Sequence, residues 1–247
     1  MTFLCRLVVV SSLITSPVSA QLRHIENIAF RVGERLTFSI GWEFISAGTA
    51  TLAVESTVQE RMRPSYKVFA LTESNAFFSR LYRVRDTLIS YIDAEGIYPL
   101  RYIKHTNEGS YSRNFEVVFN QESRAAVIND QDSGRREIQV PVFTQDILSA
   151  FYFIRTLPLE AGKDVSVPVF DNGKYSTVTV RVVKKEKVNV TAGSFDCIVV
   201  RTPIGPFENR SDLFIWLTDD DRRIPVLMKS KILIGSVKAE LERMSGI

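Results

Sequence analysis

The sequence is poor in the residues that build metal centres and thiol active sites. Only two histidines and two cysteines occur among 247 residues. The Gly-x-Ser-x-Gly and His-Glu-x-x-His motifs, a phosphate-binding loop and a dinucleotide fingerprint are all missing. We therefore predict no catalytic residue, no metal site and no cofactor, and we favour a protein that is not an enzyme. A glycosidase-like carboxylate pair stays open, but no spacing singles one out.

The sequence also lacks a marked excess of charge and any long apolar run. It has 31 basic and 28 acidic residues, and its formal net charge of +3 is spread along the chain. This balance predicts no nucleic-acid partner. No run approaches the roughly 20 apolar residues of a membrane-spanning helix. What the sequence does have, 45% hydrophobic and 24% charged residues, is typical of a globular protein.

Residues 1–20 have the features of a secretory signal peptide. Arg6 provides a modest positive start, residues 7–14 form a short apolar segment, and Val18-Ser19-Ala20 supplies the small residues of a cleavage site before Gln21. We therefore predict a protein that is secreted across the inner membrane and resides in the periplasm or the outer envelope.

The predicted mature chain, residues 21–247, shows no linker and is expected to form a single β-rich domain. Cleavage would remove Cys5 and leave Cys197 as its only thiol. Because Cys197 lies in a predicted strand, we interpret it as a small buried apolar residue. Pairing between two molecules is the alternative.

Alternation of apolar and polar residues predicts that most of the chain forms β-strands. Arg35–Glu43 alternates cleanly, with Phe38 and Trp42 on one face. Asn172-Gly173 between two β-rich runs predicts a hairpin, and the short connections predict antiparallel pairing. The predicted strands are 35–43, 49–58, 66–72, 83–92, 100–106, 111–119, 125–129, 137–140, 165–170, 175–188, 197–202, 213–217, 225–234 and 236–241.

One helix is predicted at about 145–156, packed on the concave face of a strongly curved sheet or in the mouth of an open barrel. Thr144 is a candidate N-cap, and Asp146 suits the positive end of the helix dipole. Residues 75–82 are predicted as a short helix or an irregular strand entry. The apolar face predicted from helical spacing consists of Ile147, Leu148, Phe151 and Ile154.

Two charged runs allow either a binding role or a structural one. The acidic run Asp219–Asp221 could hold calcium, or it could cap a solvated turn in which Arg222 and Arg223 pair with the carboxylates. The basic run Lys184–Lys187 could make a peripheral contact with an anionic membrane, or it could form a solvated hairpin end. We favour the structural alternative for both runs.

Arg83 and Arg85 share one face of a predicted strand, opposite Tyr82, Val84 and Asp86. Two guanidinium groups so placed could hold an anionic head group. Cross-strand ion pairs on a solvated face are the alternative, which we favour. Both arginines are kept as candidate ligand-binding residues.

Seven short motifs follow one another along residues 30–242. They are Val32-Gly33-Glu34-Arg35-Leu36, Ala47-Gly48-Thr49-Ala50, Tyr82-Arg83-Val84-Arg85-Asp86, Gln145-Asp146-Ile147-Leu148-Ser149-Ala150, Pro168-Val169-Phe170-Asp171-Asn172-Gly173-Lys174, Ala192-Gly193-Ser194-Phe195-Asp196-Cys197 and Trp216-Leu217-Thr218-Asp219-Asp220. In this order they resemble the bacterial exported proteins classed as domain of unknown function 3108. The resemblance implies an all-β envelope protein with one covering helix, similar in outline to the lipoprotein-carrier (Lol) fold, and it supplies no catalytic residues.

The sequence favours a non-catalytic envelope protein that binds an apolar or amphipathic ligand, such as a lipid or an acyl chain. A curved sheet or open barrel can hold such a ligand between strands and helix. The alternatives are a protein-interaction or scaffold module, which an exposed apolar patch would favour, and a hydrolase of envelope glycans. The candidate ligand-binding residues are Phe38, Trp42, Arg83, Arg85, Phe151 and Phe153.

Overall fold

The computed structural model describes residues 23–204, 211–231 and 235–247. The predicted signal peptide, including Cys5, therefore lies outside the described residues, as does the end of the predicted strand 225–234. The described residues contain one α-helix, α1, at Ile147–Arg155, and one turn of 3-10 helix at Phe78–Arg80.

The strands account for most of the described chain. They are β1 Arg35–Trp42, β2 Ile45–Glu60, β3 Arg63–Ser74, β4 Arg85–Asp93, β5 Pro99–Glu108, β6 Tyr111–Asn120, β7 Ala125–Asp130, β8 Gly134–Gln139, β9 Gln145–Asp146, β10 Asp164–Asp171, β11 Lys174–Val190, β12 Gly193–Ile204, β13 Ser211–Thr218, β14 Pro225–Lys231 and β15 Ser236–Ser245.

All these strands belong to one 15-stranded sheet. Each strand from β1 to β8 pairs with the next, each strand from β10 to β15 does the same, and β1 pairs with β15. The pairings are antiparallel except that of β9 with β10, which is parallel. The sheet is not closed, because β8 and β9 stand at its two ends. The predicted all-β, mainly antiparallel fold with one helix is confirmed.

The strand predictions are also confirmed element by element, with differences at the ends. β9 was not predicted, because two residues are too few to show a period of two. The segment 75–82, predicted as a short helix or an irregular strand entry, contains the 3-10 turn. Cys197 is free and only 1% exposed, and burial raises the pKa of its thiol to about 11.

Helix α1 differs from its prediction in its cap and in its buried face. Asp146 is the N-cap, so the prediction of Thr144 is wrong. Asp146 Oδ1 accepts a hydrogen bond from the Ser149 backbone N at 2.7 Å, and Ser149 Oγ accepts one from the Asp146 backbone N at 2.9 Å. This reciprocal pair satisfies two donors that a helix start leaves free. The predicted apolar face is partly wrong, because Ile147 is 40% exposed while Tyr152 is buried.

The sheet curls around α1. The helix contacts β3 and β4 and also β9 and β10, which are far apart in strand order. Seven of its nine residues are buried, and a helix buried on several sides lies inside a protein. Helix α1 therefore fills the interior of the curved sheet.

The connections between strands lie alternately at two ends of the sheet. At one end, which we call the closed end, the residues 23–34, the end of α1 and the β13–β14 connection meet. Arg155 links them, because its Nη2 donates to the Ala29 carbonyl at 2.8 Å and its Nε to the Arg222 carbonyl at 3.2 Å. At the opposite end lie the β1–β2, β3–β4 and β5–β6 connections.

Candidate functional site

The interior between α1 and the sheet is filled by side chains. Leu148, Tyr152 and Phe153 of α1 belong to the same buried core as residues from β2 to β7. These side chains pack against the strands beside which the sequence predicted a space for the ligand. A row of paired residues crosses the inner face of these strands and consists of Val54, Val68, Ser90, Tyr102, Val117 and Ile128, all buried.

Ser90, the serine of this row, contacts the helix N-cap. Its Oγ donates to Asp146 Oδ2 at 2.6 Å. Burial raises the pKa of Asp146 to about 6, and the hydrogen bonds from Ser90 and Ser149 act in the opposite direction. The Tyr102 hydroxyl is also buried and has no hydrogen-bond partner among the described residues. The cluster fixes the start of α1 on β4, and no histidine or free thiol accompanies it that would make it a catalytic pair.

A buried ion pair fixes the other end of α1. Arg155 Nη1 donates to Glu34 Oε1 at 2.6 Å, and Arg155 Nη2 donates to Glu34 Oε2 at 2.7 Å. The two side chains are 0% and 2% exposed. The carbonyl groups of Arg222 and Ala29 accept two further hydrogen bonds from the guanidinium, which also lies 5.2 Å from the ring centre of Tyr152. A buried charge requires a counter-charge and hydrogen-bond partners of this kind, so we assign this pair a structural role.

Hydrogen bonds join three connections at the end opposite the closed end. The Asn75 backbone N donates to the Ala47 carbonyl at 2.8 Å, and Asn75 Nδ2 donates to the Ser46 carbonyl at 2.6 Å. These bonds link the β3–β4 connection to the start of β2. The Gly109 backbone N donates to the Arg83 carbonyl at 2.7 Å, which links the β5–β6 turn to the same connection.

Exposed apolar side chains gather on these joined connections. Phe44 is 100% exposed and Leu81 is 77% exposed. We call Phe44, Ile45, Phe77, Leu81 and Tyr82 the apolar rim. Five aromatic side chains of the described residues are exposed, and three of them, Phe44, Phe77 and Tyr82, belong to the rim. The other two are Tyr111 and Tyr175. Exposed apolar groups that cluster in this way mark interaction surfaces.

Trp42 and Phe78 support the rim from below. Both are half-buried, and their ring centres are 6.1 Å apart in an edge-to-face arrangement. Phe78 also stands 6.1 Å from Phe77. The exposed side chains therefore project from a packed aromatic base. A hollow of about 330 Å³, open to solvent and lined partly by Phe44 and Ile45, lies beside this base.

The charges around the apolar rim differ in their pairing. Arg85 donates to Glu73 Oε1 at 2.6 Å, which is the cross-strand ion pair that the sequence favoured. Arg80 and Arg83 are exposed and form no ion pair with the described residues. Glu108, which accepts a hydrogen bond from the Tyr82 hydroxyl at 3.3 Å, has a raised pKa because of partial burial and a hydrogen bond with Asp86.

The two charged runs of the sequence lie away from the rim, and most of their side chains form ion pairs or hydrogen bonds. Asp220 Oδ1 accepts hydrogen bonds from the Thr218 hydroxyl and from the backbone N of Arg222 and Arg223, as a capped turn requires. Arg222 and Arg223 form no ion pair with the acidic run among the described residues, contrary to the expectation. Asp219 pairs with Lys185 instead. Lys184 and Lys187 also pair with carboxylates.

The six candidate ligand-binding residues are not brought together. Phe38 is completely buried in a core cluster with Leu36 and Leu241. Phe153 lies in the main core, and Phe151 packs between that core and the next one. Trp42, Arg83 and Arg85 lie at or beside the apolar rim. The candidates therefore include neighbours of the rim but none of its five residues, and Phe44, Phe77 and Leu81 were missed. Their signal was an apolar residue placed inside a turn or an irregular connection.

A comparison with known families identifies the chain. The sequence pattern of the family described as "Protein of unknown function (DUF3108)" matches residues 37–242. The chain belongs to this family. The predicted resemblance to this family is thereby confirmed, and six of the seven motifs lie within the matched residues, the motif at 32–36 preceding them. No curated protein matches the chain.

One solved structure shows a similar fold, and two others are similar at lower scores. The chain is similar to a β-barrel-like protein of domain of unknown function DUF1849 from Brucella abortus, with a TM-score of 0.62, 11% identity, and coverage of 91% of this chain and 98% of that chain. An inferred lipoprotein from Parabacteroides distasonis gives a TM-score of 0.36 at 13% identity, covering 91% and 100%. An inferred exported protein with a YmcC-like fold from Bacteroides fragilis gives 0.35 at 13%, covering 91% and 99%. The first likeness supports the fold alone.

Two further observations concern the described residues. None of their helices combines the length and the apolar character that crossing a membrane demands. They also contain no group of three or more His, Cys, Asp or Glu side chains that could hold a metal ion.

Proposed function

We propose that this DUF3108 protein is a non-catalytic protein of the bacterial cell envelope that binds the surface of a phospholipid bilayer through its apolar rim. The observation that carries the proposal is the gathering of exposed aromatic and aliphatic side chains on hydrogen-bonded connections at one end of the sheet. Export by the predicted signal peptide, residues 1–20, would deliver it to that compartment.

The size of the rim suits a peripheral membrane contact. Full burial of one Phe or Leu side chain contributes about 1.5–3 kcal/mol. Phe44, Phe77 and Leu81, which are 100%, 61% and 77% exposed, have most of that free energy still to gain. Tyr82 has the amphipathic ring that favours the membrane–water interface. Such a contact lies on the membrane and does not span it.

Because the interior beside α1 is packed with side chains, we place the proposed lipid contact on the outside of the sheet. The sequence placed an acyl chain between strands and helix, next to Phe38, Phe151 and Phe153. These rings pack against neighbouring core residues. The rim, in contrast, offers apolar surface without any rearrangement of the core. We therefore propose that lipid is bound as a surface.

Flotation with phosphatidylcholine vesicles tests this proposal. We expect the mature protein to float with the vesicles, and the emission of Trp42 at the base of the rim to shift to shorter wavelength. The variant Phe44→Ser/Leu81→Ser should lose most of this binding, because it removes two of the most exposed apolar side chains of the rim.

A matched control removes two exposed apolar side chains elsewhere. Met62 and Ile28 are 94% and 61% exposed and lie at the closed end, so Met62→Ser/Ile28→Ser should bind like the unmodified protein. Equal loss in both variants would overturn the role of the rim. Absence of vesicle binding, together with rim-dependent association between proteins, would overturn the membrane proposal in favour of a protein-interaction module.

A further inference from the structure

We propose that Arg80 and Arg83 make the apolar rim selective for anionic bilayers. This inference rests on the proposed membrane-binding function and names the class of lipid. It differs from the pairing of Arg83 with Arg85 that the sequence suggested, because the structure neutralises Arg85 with Glu73.

The sequence of the β3–β4 connection is basic and apolar. Residues 75–84 contain Arg80 and Arg83 and no aspartate or glutamate. The two arginines flank two exposed side chains of the rim, since Arg80 precedes Leu81 and Arg83 follows Tyr82. Arginine suits this position, because its stem covers apolar surface while its guanidinium stays at the level of the phosphate groups.

The neighbouring carboxylates are engaged elsewhere. Glu73 binds Arg85, and Glu43 Oε1 accepts a hydrogen bond from the Ser236 backbone N at 2.5 Å. Glu108 accepts a hydrogen bond from the Tyr82 hydroxyl at 3.3 Å, and Asp86 accepts one from the Asn107 backbone N at 2.9 Å. Arg80 and Arg83 therefore keep their charge available without a carboxylate partner among the described residues.

The backbone of the connection is fixed before any ligand arrives. The Asn75 side chain and backbone bond to β2, and the Leu81 and Tyr82 backbone N atoms both donate to the Phe78 carbonyl, at 2.9 and 2.7 Å. The Arg83 carbonyl accepts from Gly109. The backbone thus holds Arg80 and Arg83 beside the apolar rim. Their electrostatic attraction to an anionic surface should add to the binding free energy of the apolar contact.

The test compares vesicles of phosphatidylcholine with vesicles that contain about 30 mol% phosphatidylglycerol. We expect the unmodified protein to bind the anionic vesicles roughly 5- to 30-fold more tightly. One arginine near an anionic surface contributes about 5-fold in affinity, and two together contribute about 30-fold. Arg80→Gln/Arg83→Gln should lose this ratio and keep its binding to pure phosphatidylcholine. Salt at about 0.5 M should abolish the ratio as well.

The matched control Arg124→Gln/Lys187→Gln removes the same net charge from exposed positions at the closed end, and it should keep the ratio. Loss of the ratio in this control would overturn the assignment to Arg80 and Arg83, because net charge alone would explain it. Equal binding of the unmodified protein to both vesicles would overturn the inference and leave the proposed function standing. Failure to bind either vesicle would overturn the proposed function itself.

Discussion

Arginine and aromatic side chains occur together at both ends of the sheet, with different outcomes. At the closed end, the Arg23 guanidinium lies 4.4 Å from the ring centre of Phe153 and 4.7 Å from that of Phe143. It donates to the carbonyl groups of Gly96 and Ile97 at 2.8 and 2.7 Å. Burial lowers its pKa to about 10. The side chain therefore joins residues 23–34, the β4–β5 connection and α1 at the closed end.

At the apolar rim, the same residue types face solvent. Arg80 and Arg83 have no ion-pair partner among the described residues. Leu81 and Tyr82, which lie between these arginines in the sequence, are 77% and 50% exposed. At the closed end, the guanidinium groups of Arg23 and Arg155 have both hydrogen-bond acceptors and aromatic neighbours. The contrast supports our proposal that the rim is a contact surface, whereas the closed end holds the fold together.

The largest expected effect comes from breaking the closed end at its buried ion pair. Glu34→Gln leaves the Arg155 guanidinium buried without its carboxylate, and we expect the free energy of unfolding to fall by about 3–5 kcal/mol. Urea unfolding followed by circular dichroism measures this change. The double variant Glu34→Gln/Arg155→Met should cost less than the sum of the single variants, because the unpaired charge is gone.

A solvated ion pair provides the control. Asp164 and Arg181 are 38% and 58% exposed, so Asp164→Asn should change the unfolding curve little. If Glu34→Gln were as mild as Asp164→Asn, the ion pair would not hold the closed end together, and the structural role that we assign to it would be wrong.

Features formed by residues close together in the sequence could be predicted, whereas contacts between residues far apart in the sequence could not. The alternation in β1, the turn around Asn172-Gly173 and the helix near 147–155 are local, and each was visible. The bond between Glu34 and Arg155 spans 121 positions, and that between Ser90 and Asp146 spans 56. No local period encodes such a partner. For the bond between Ser90 and Asp146, the available sign was a serine between Leu88 and Ile92 on the same face of β4.

The rim escaped prediction for a related reason. Phe44 follows Trp42 closely, so the segment reads as the end of an apolar strand. In the structure Glu43 takes a positive φ of 51°, and the chain turns before Phe44. Exposure of Phe44 depends on that turn and on the neighbouring connections, which alternation alone does not reveal.

An intermediate effect is expected at the start of α1, through pH. The pKa of Asp146 is raised from 3.8 to about 6 by burial, so between about pH 4 and pH 6 the folded protein holds a proton that the unfolded chain has released. Stability should therefore fall as pH rises through this window and level off above it. We expect a loss of about 1–3 kcal/mol from this group.

The variant Asp146→Asn isolates that contribution. Asparagine still caps a helix but carries no charge, so the difference in unfolding free energy between the unmodified protein and the variant should change across pH 4–6. Urea unfolding at several pH values measures it. Parallel stability curves for the two proteins would contradict the assignment of the raised pKa to Asp146.

The smallest effect on stability is expected at the apolar rim, and it completes the comparison of the two ends. Phe44 and Leu81 are so exposed that Phe44→Ser/Leu81→Ser should change the free energy of unfolding by no more than about 0.5 kcal/mol, as is usual for surface substitutions. Thermal and urea unfolding check this. The same variant is expected to lose vesicle binding, so function and stability separate at the rim. A loss of several kcal/mol would show that the rim packs within the fold, and it would remove the reason for regarding it as a contact surface.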